Sequence, residues 1–187
     1  MTLQEIYEDL KTKGFETDKG SVHSYIPVYE EILAPYRNTA KFVLEIGVFK
    51  GNSLRMWEKY FNCPVFGVDC DETPHDGMAD LREMIASGEH LIKIFDASNE
   101  NEVKENLGNI KFDVIIEDAN HQLSQQLELY RIYKEYLTPN GIYIIEDVED
   151  IDENRGVFKN IDSEKTVTIL DRRNIKDRFD DVLIIIK

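Results

Sequence analysis

KFVLEIGVFKGNS, residues 41–53, is the stretch from which the fold of this chain can be read. Phe42, Val43, Leu44 and Ile46 form an apolar run broken only by Glu45, as expected of a buried strand. Gly47 and Gly51 follow, and Leu54, Met56 and Trp57 then set out a helical pattern. Strand, tight turn and helix in that order leave backbone N–H groups free at the new helix start, where polar ligand atoms can be held. A dinucleotide fingerprint beginning at Gly47 would need glycine at 49 and 52, where the chain has Phe49 and Asn52. The loop therefore suits a nucleoside ligand lacking a pyrophosphate better than NAD.

The chain around this stretch has 187 residues, 42% of them hydrophobic, which is enough for one sizeable core and reads as a single domain, 1–187. Within it, residues 1–38 are expected to form N-terminal helices or a lid, and 39–187 the core. A formal charge of −15 disfavours binding to a phosphate backbone, so nucleic acid is excluded as a partner. Cys63 and Cys70 lack the spacing of a metal knuckle or redox pair, and free thiols in a reducing compartment are expected. Charges run through the first 20 residues and no apolar run approaches a membrane span, so a cytoplasmic protein without membrane insertion is expected.

Leu3, Ile6, Tyr7 and Leu10 predict an amphipathic helix over residues 2–13. Thr17 to Ser24 is polar, and Tyr25 to Tyr36 predicts a second helix ended by Pro35; this segment could fold over the strand ends. Val65 to Val68 predicts a strand closed by Asp69, about 20 residues beyond the glycine turn, where an acid can accept hydrogen bonds from ribose hydroxyls. Asp71 to His75 reads as loop, Met78 to Ala86 as helix, and Leu91 to Phe95 as a strand ending at Asp96. Strands alternating with helices predict a parallel sheet with right-handed crossovers.

The second half repeats the pattern. Phe112 to Ile116 is a strand followed by Glu117, Asp118, Ala119, Asn120 and His121; Leu123 to Leu137 is a helix; Thr138 to Gly141 is a turn; Ile142 to Ile145 is a strand closed by Glu146 and Asp147. Glu149 to Asn154 reads as a charged loop, and Gly156 to Lys165 has no clear pattern. Thr166 to Leu170 and Val182 to Ile186 lack an apolar helix between them and so predict an antiparallel hairpin.

LEIGVFKGNSLRMW, VFGVD, FDVIIEDANH and LTPNGIYIIEDV, in that order, resemble the class I S-adenosylmethionine-dependent methyltransferases over most of the chain. More narrowly, they look like the macrocin O-methyltransferase and cephalosporin hydroxylase-like group, and TDKGSVHSY looks like that group's lead-in. One departure is the loop at 117–121, EDANH where the group has DDGSH; the Asp and His three apart are kept. The resemblance implies a Rossmann-like α/β sheet of five parallel strands plus a C-terminal antiparallel hairpin, with helices on both faces. It also implies O-methyl transfer, Mg²⁺-dependent, to a polysaccharide, nucleotide-linked or natural-product sugar.

The implied topology brings the Gly47 turn and the ends of the fourth and fifth strands to one rim. There Asp118 and Asp147 are expected as Mg²⁺ ligands, since the ion prefers carboxylate oxygens. His121 is the expected base, assisted by Asp118, because an unperturbed imidazole titrates near neutral pH. Glu45, Gly47, Gly51, Asn52 and Ser53 are expected around the methionine portion of the donor, Asp69 at the ribose, and Asp96 with Ala97 at the adenine. His23, Tyr25 and Glu146 are candidate acceptor contacts, and the acceptor surface is completed by the N-terminal segment or by another subunit of a homo-oligomer. Two other readings are a non-catalytic protein that keeps the fold and a methyltransferase acting on a non-sugar small molecule. A hydroxylase is disfavoured, because the histidines at 23, 75, 90 and 121 assemble no convincing facial triad.

Overall fold

A computed structural model of the chain describes residues 1–70 and 78–187, with side chains described for 1–70 and 81–187. The loop read at 71–75 lies outside the described residues. The opening stretch forms β1 (Val43–Ile46), a glycine turn and α4 (Asn52–Tyr60). Ahead of it come α1 (Leu3–Thr12), α2 (Asp18–Ser21) and α3 (Ile26–Leu33). Thr2 and Glu5 close a capping box on α1, and Leu3, Ile6, Tyr7 and Leu10 are the buried residues of this helix.

After α4 the chain alternates: β2 (Val65–Asp69), α5 (Met78–Ser87), β3 (Leu91–Ile94), α6 (Glu100–Leu107), β4 (Phe112–Glu117), α7 (Leu123–Tyr133) and β5 (Leu137–Ile145). It ends with α8 (Ile151–Lys159), β6 (Val167–Asp171), the short α9 (Arg173–Lys176) and β7 (Val182–Ile186). The strands form one seven-stranded sheet in the order β3-β2-β1-β4-β5-β7-β6. β1 to β5 run parallel, and β7 lies antiparallel between β5 and β6. The expected architecture of five parallel strands with a terminal antiparallel pair is thus what the chain adopts.

Strand alternation sends successive side chains to opposite faces, and each face has its own core. One packs Tyr29, Trp57, Val114 and Ile144 with α1, α3 and α4; the other packs Phe112, Tyr130, Tyr143 and Phe158 with α6, α7 and α8.

Three local readings change. The helix expected from Leu123 to Leu137 stops at Tyr133, and Leu137 opens β5. Thr138 to Gly141, expected as a turn before the fifth strand, lies inside β5. There the pairing jumps from Phe112↔Leu137 to Val114↔Ile142, so the quartet is a bulge, where proline costs no ladder bond. Glu149 to Asn154, expected as loop, runs into α8, which buries only Ile151 and Phe158 and so shows little apolar periodicity.

Candidate active site

β1 and β4 are neighbours whose helices leave in opposite directions along the sheet, so a cleft opens beyond their carboxyl ends. The glycine turn forms one wall of it. Gly47 has φ of 91°, and a Cβ there would lie 2.0 Å from the Asp118 carbonyl oxygen, so only glycine lets the turn pass β4 this closely. The Asp69 carboxylate braces the turn from β2, with Oδ2 accepting from the N–H groups of Val48 (2.8 Å) and Phe49 (2.7 Å). α4 then begins at Asn52 with no side-chain cap, leaving its first N–H groups at the cleft. The cleft is a cavity of about 980 Å³ whose lining includes Gly47, Asn52, Ser53, Asp118, Ala119 and His121.

Below its rim lies a dense group of ionisable side chains. His121 Nε2 is 3.2 Å from Asp118 Oδ1 and 3.8 Å from Asp147 Oδ2. Asp118, His121 and Asp147 can each offer a ligand atom, all lying within 4.8 Å of one another. Both His121 (φ 61°) and Asp147 (φ 51°) hold left-handed backbone, a conformation that persists in non-glycine residues only where the surroundings enforce it.

On the other side of Asp118 sits Lys19, fully buried. Its Nζ donates to Asp118 Oδ2 (2.6 Å) and Glu146 Oε2 (2.8 Å) and lies 3.8 Å from Glu45 Oε1. Tyr29 donates its hydroxyl to Glu146 Oε1, and Trp57 donates Nε1–H to Glu45 Oε1 at 2.9 Å. The segment carrying Lys19 is pinned to the strand ends: Tyr25 donates its hydroxyl to Asp147 Oδ1 (2.8 Å), and Ser24 donates Oγ–H to Asp181 Oδ2 (2.7 Å). His23 Nε2 lies 3.3 Å from Asp147 Oδ2.

The field in this cluster is strongly negative. Burial would strip Lys19 of its proton, but Asp118, Glu146 and Glu45 hold it well above the usual lysine range. Burial pushes Glu45 up to about 7 despite Lys19. Asp147 rises to about 7 through burial and the neighbouring charge of Asp118. Asp118 stays below the ordinary carboxylate range, because Lys19 and His121 outweigh its burial. Burial would depress His121, but its hydrogen bond to Asp118 and the charges of Asp118, Asp147 and Glu117 lift it to about 9. The expectation of an imidazole titrating near neutrality therefore does not describe His121 while these acids are uncompensated.

Of the residues singled out from sequence, the cavity gathers Gly47, Asn52, Ser53, Asp118 and His121, with Asp147 buried against His121. Glu45 and Glu146 lie beneath, sealed in by Lys19. Gly51 caps α4, with φ of 75°. Asp69 holds the turn, and Asp96 Oδ1 accepts from the N–H and Oγ–H of Ser98; neither acid, nor Ala97, is among the cavity lining. His23 and Tyr25, expected to close over an acceptor, are 3% and 0% exposed and instead fasten the N-terminal segment onto β5. Lys19 and Tyr29 are the residues that sequence reasoning missed. No local pattern marks Lys19; the only hint is a surplus of strand-end acids with no cation assigned to them.

An open, mostly parallel sheet in this order, with a glycine turn at the end of β1 and acids at the ends of β4 and β5, defines a Rossmann-like class I methyltransferase fold. Residues 44–148 match the family described as "Methyltransferase domain", and the chain belongs to that family. It is 32% identical over 142 residues to L-olivosyl-oleandolide 3-O-methyltransferase of Streptomyces antibioticus, covering 71% of this chain and 35% of that protein. It is 29% identical over 141 residues to 8-demethyl-8-alpha-L-rhamnosyl tetracenomycin-C 2'-O-methyltransferase of Streptomyces olivaceus, again covering 71% and 35%. The match thus spans about a third of the length of these curated relatives. Among solved structures, MycE methyltransferase from the mycinamycin biosynthetic pathway, in complex with Mg, SAH and mycinamycin VI, shares the fold with a TM-score of 0.69 at 20% identity. That likeness covers 100% of this chain and 54% of the other.

Proposed function

We propose that the chain is an S-adenosylmethionine-dependent O-methyltransferase that uses a divalent cation, preferably Mg²⁺, to methylate a sugar hydroxyl. The observation that carries this reading is the convergence of Asp118, His121 and Asp147 within 4.8 Å at a cavity shared with the Gly47 turn. The matched relatives act on sugars of natural products, which favours a glycosylated small molecule as acceptor. Residues 1–38 then serve as a cover and 39–187 as the catalytic core of one domain.

The donor set fits a hard cation: Asp118 and Asp147 offer carboxylate oxygens, and negative charge is crowded enough to lift Asp147 to about 7. A divalent cation held by Asp118 and Asp147 would supply Lewis acidity to an acceptor hydroxyl and positive charge to the carboxylates. S-adenosylmethionine would supply a methyl group on a sulfonium, with its methionine end at Gly47, Gly51, Asn52 and Ser53. Glu45 stands behind the turn; Asp69 is assigned to the ribose and Asp96 with Ala97 to the adenine by the resemblance, since the three lie outside the cavity lining.

The chain's own contribution is alignment and proton handling. His121 Nε2 faces Asp118 and Asp147, and their charge is what retains its proton. Neutralising those carboxylates returns the imidazole toward its ordinary range, where it can take the hydroxyl proton. The buried cover formed by Lys19, His23 and Tyr25 keeps bulk water from the carboxylates below the cavity.

The test is paired. S-adenosylhomocysteine should raise the melting temperature with or without EDTA, whereas methyl transfer from labelled donor to a glycosylated acceptor should stop in EDTA and return with Mg²⁺. Absence of any stabilisation by S-adenosylhomocysteine would remove the methyltransferase reading; turnover insensitive to EDTA would remove only the cation.

A further inference from the structure

We propose that Lys19 is a built-in counter-cation that competes with a divalent ion for the strand-end carboxylates and so sets how tightly the site holds that ion. The inference rests on the reading that Asp118 and Asp147 bind such an ion.

Lys19 is not a surface lysine resting on a nearby acid. Its ammonium is fully buried, 2.6 Å from Asp118 Oδ2 and 2.8 Å from Glu146 Oε2, with Glu45 Oε1 at 3.8 Å. Asp118 is the shared residue: one oxygen is bound to Lys19 and the other faces His121 at 3.2 Å. A cation ligated by Asp118 therefore draws on a carboxylate that already neutralises an ammonium. Two positive charges that share one carboxylate in a buried, low-dielectric cluster also repel each other directly.

The ammonium cannot leave freely. Lys176 donates to the Gly20 carbonyl of its helix α2, and the segment just after that helix is held by Ser24 on Asp181 and Tyr25 on Asp147. Glu146 is likewise held, by Tyr29 as well as Lys19, so it stays beside the ammonium. Charge repulsion across one shared carboxylate is strong enough to matter. Even with the screening of a half-wet protein interior, it amounts to more than a tenfold effect on an equilibrium.

The experiment is a titration of Mn²⁺ and of Mg²⁺ into wild type, Lys19→Gln and Lys19→Arg by calorimetry. The expected result is binding at least about tenfold tighter in Lys19→Gln, with Lys19→Arg within about threefold of wild type because its charge is retained. Equal or weaker binding in a folded Lys19→Gln overturns the inference while leaving the metal reading intact. No binding to any of the three proteins overturns both. Should Lys19→Gln fail to fold, Lys19→Met takes its place in the same titration: binding at least about tenfold tighter than wild type is expected, and equal or weaker binding overturns the inference.

Discussion

Four carboxylates at the ends of neighbouring strands meet two different surroundings. Glu45 and Glu146 turn toward α2, α3 and α4, where Trp57 donates to Glu45 while Lys19 and Tyr29 donate to Glu146. Asp118 lines the cavity and Asp147 lies buried behind it, and both face His121. Glu146 and Asp147 follow the end of β5, where the left-handed backbone of Asp147 (φ 51°) lets the two carboxylates diverge, Glu146 to Lys19 and Tyr29, Asp147 to Tyr25 and His121. Lys19 joins the two groups, because Asp118 belongs to both. An acid at a strand end is therefore not informative alone; what matters is which cation, if any, the fold has already given it.

Exchanging roles across this divide should have graded effects. Asp147→Ala is expected to lower the methyl-transfer rate by about 10²–10³-fold, the scale for losing charge stabilisation of a developing alkoxide, because the cation loses a ligand. Binding of S-adenosylhomocysteine should be unchanged, which initial rates and calorimetry on one preparation would check. Glu146→Ala should instead act on stability, because it leaves the Lys19 ammonium and the Tyr29 hydroxyl short of a buried partner. A loss of about 3–5 kcal/mol in urea denaturation is expected, and a loss below about 1 kcal/mol would erase the contrast.

Glu117, on the opposite face of β4 from Val114 and Ile116, tests burial without a cation. Among the described residues its Oε1 accepts from the Ala119 N–H alone and Oε2 has no hydrogen-bond partner, and burial pushes its carboxyl up to about 8. A folded value above the ordinary carboxylate value means that the protonated form suits the fold. Its stabilising contribution is whole below about pH 4.5 and is lost as pH rises through about 8. Glu117→Gln should thus match wild type near pH 4.5 and exceed it by about 1–3 kcal/mol above pH 8 in denaturation curves. The smallest effect should come from Tyr29→Phe, at about 1–2 kcal/mol of thermal stability, since only one hydrogen bond to Glu146 is removed and Lys19 remains.

The parallel sheet was legible because each of its strands is a short apolar run ended close to an acid or glycine, and α1, α3, α4 and α7 carry readable stripes. The bulge in β5 was not, because Thr138 to Gly141 has the composition of a turn and only pairing with Phe112 keeps it in the sheet. The convergence of Asp118, His121 and Asp147 was legible because each follows the end of one of two neighbouring strands. Lys19 was not, since its importance comes from meeting residues 99 and 127 positions away. The same long-range contacts explain why His23 and Tyr25 looked like acceptor contacts. Their polarity suggested a surface, while Asp147 and Asp181 supply partners that let them be buried.

The central claim is that the Asp118 and Asp147 side of this divide is the cation site. The most direct measurement is an anomalous difference map from crystals grown with Mn²⁺ and S-adenosylhomocysteine. The account predicts a peak within coordination distance of both Asp118 and Asp147, beside S-adenosylhomocysteine in the Gly47 cavity. A peak ligated elsewhere, or none at full Mn²⁺ loading, would contradict it.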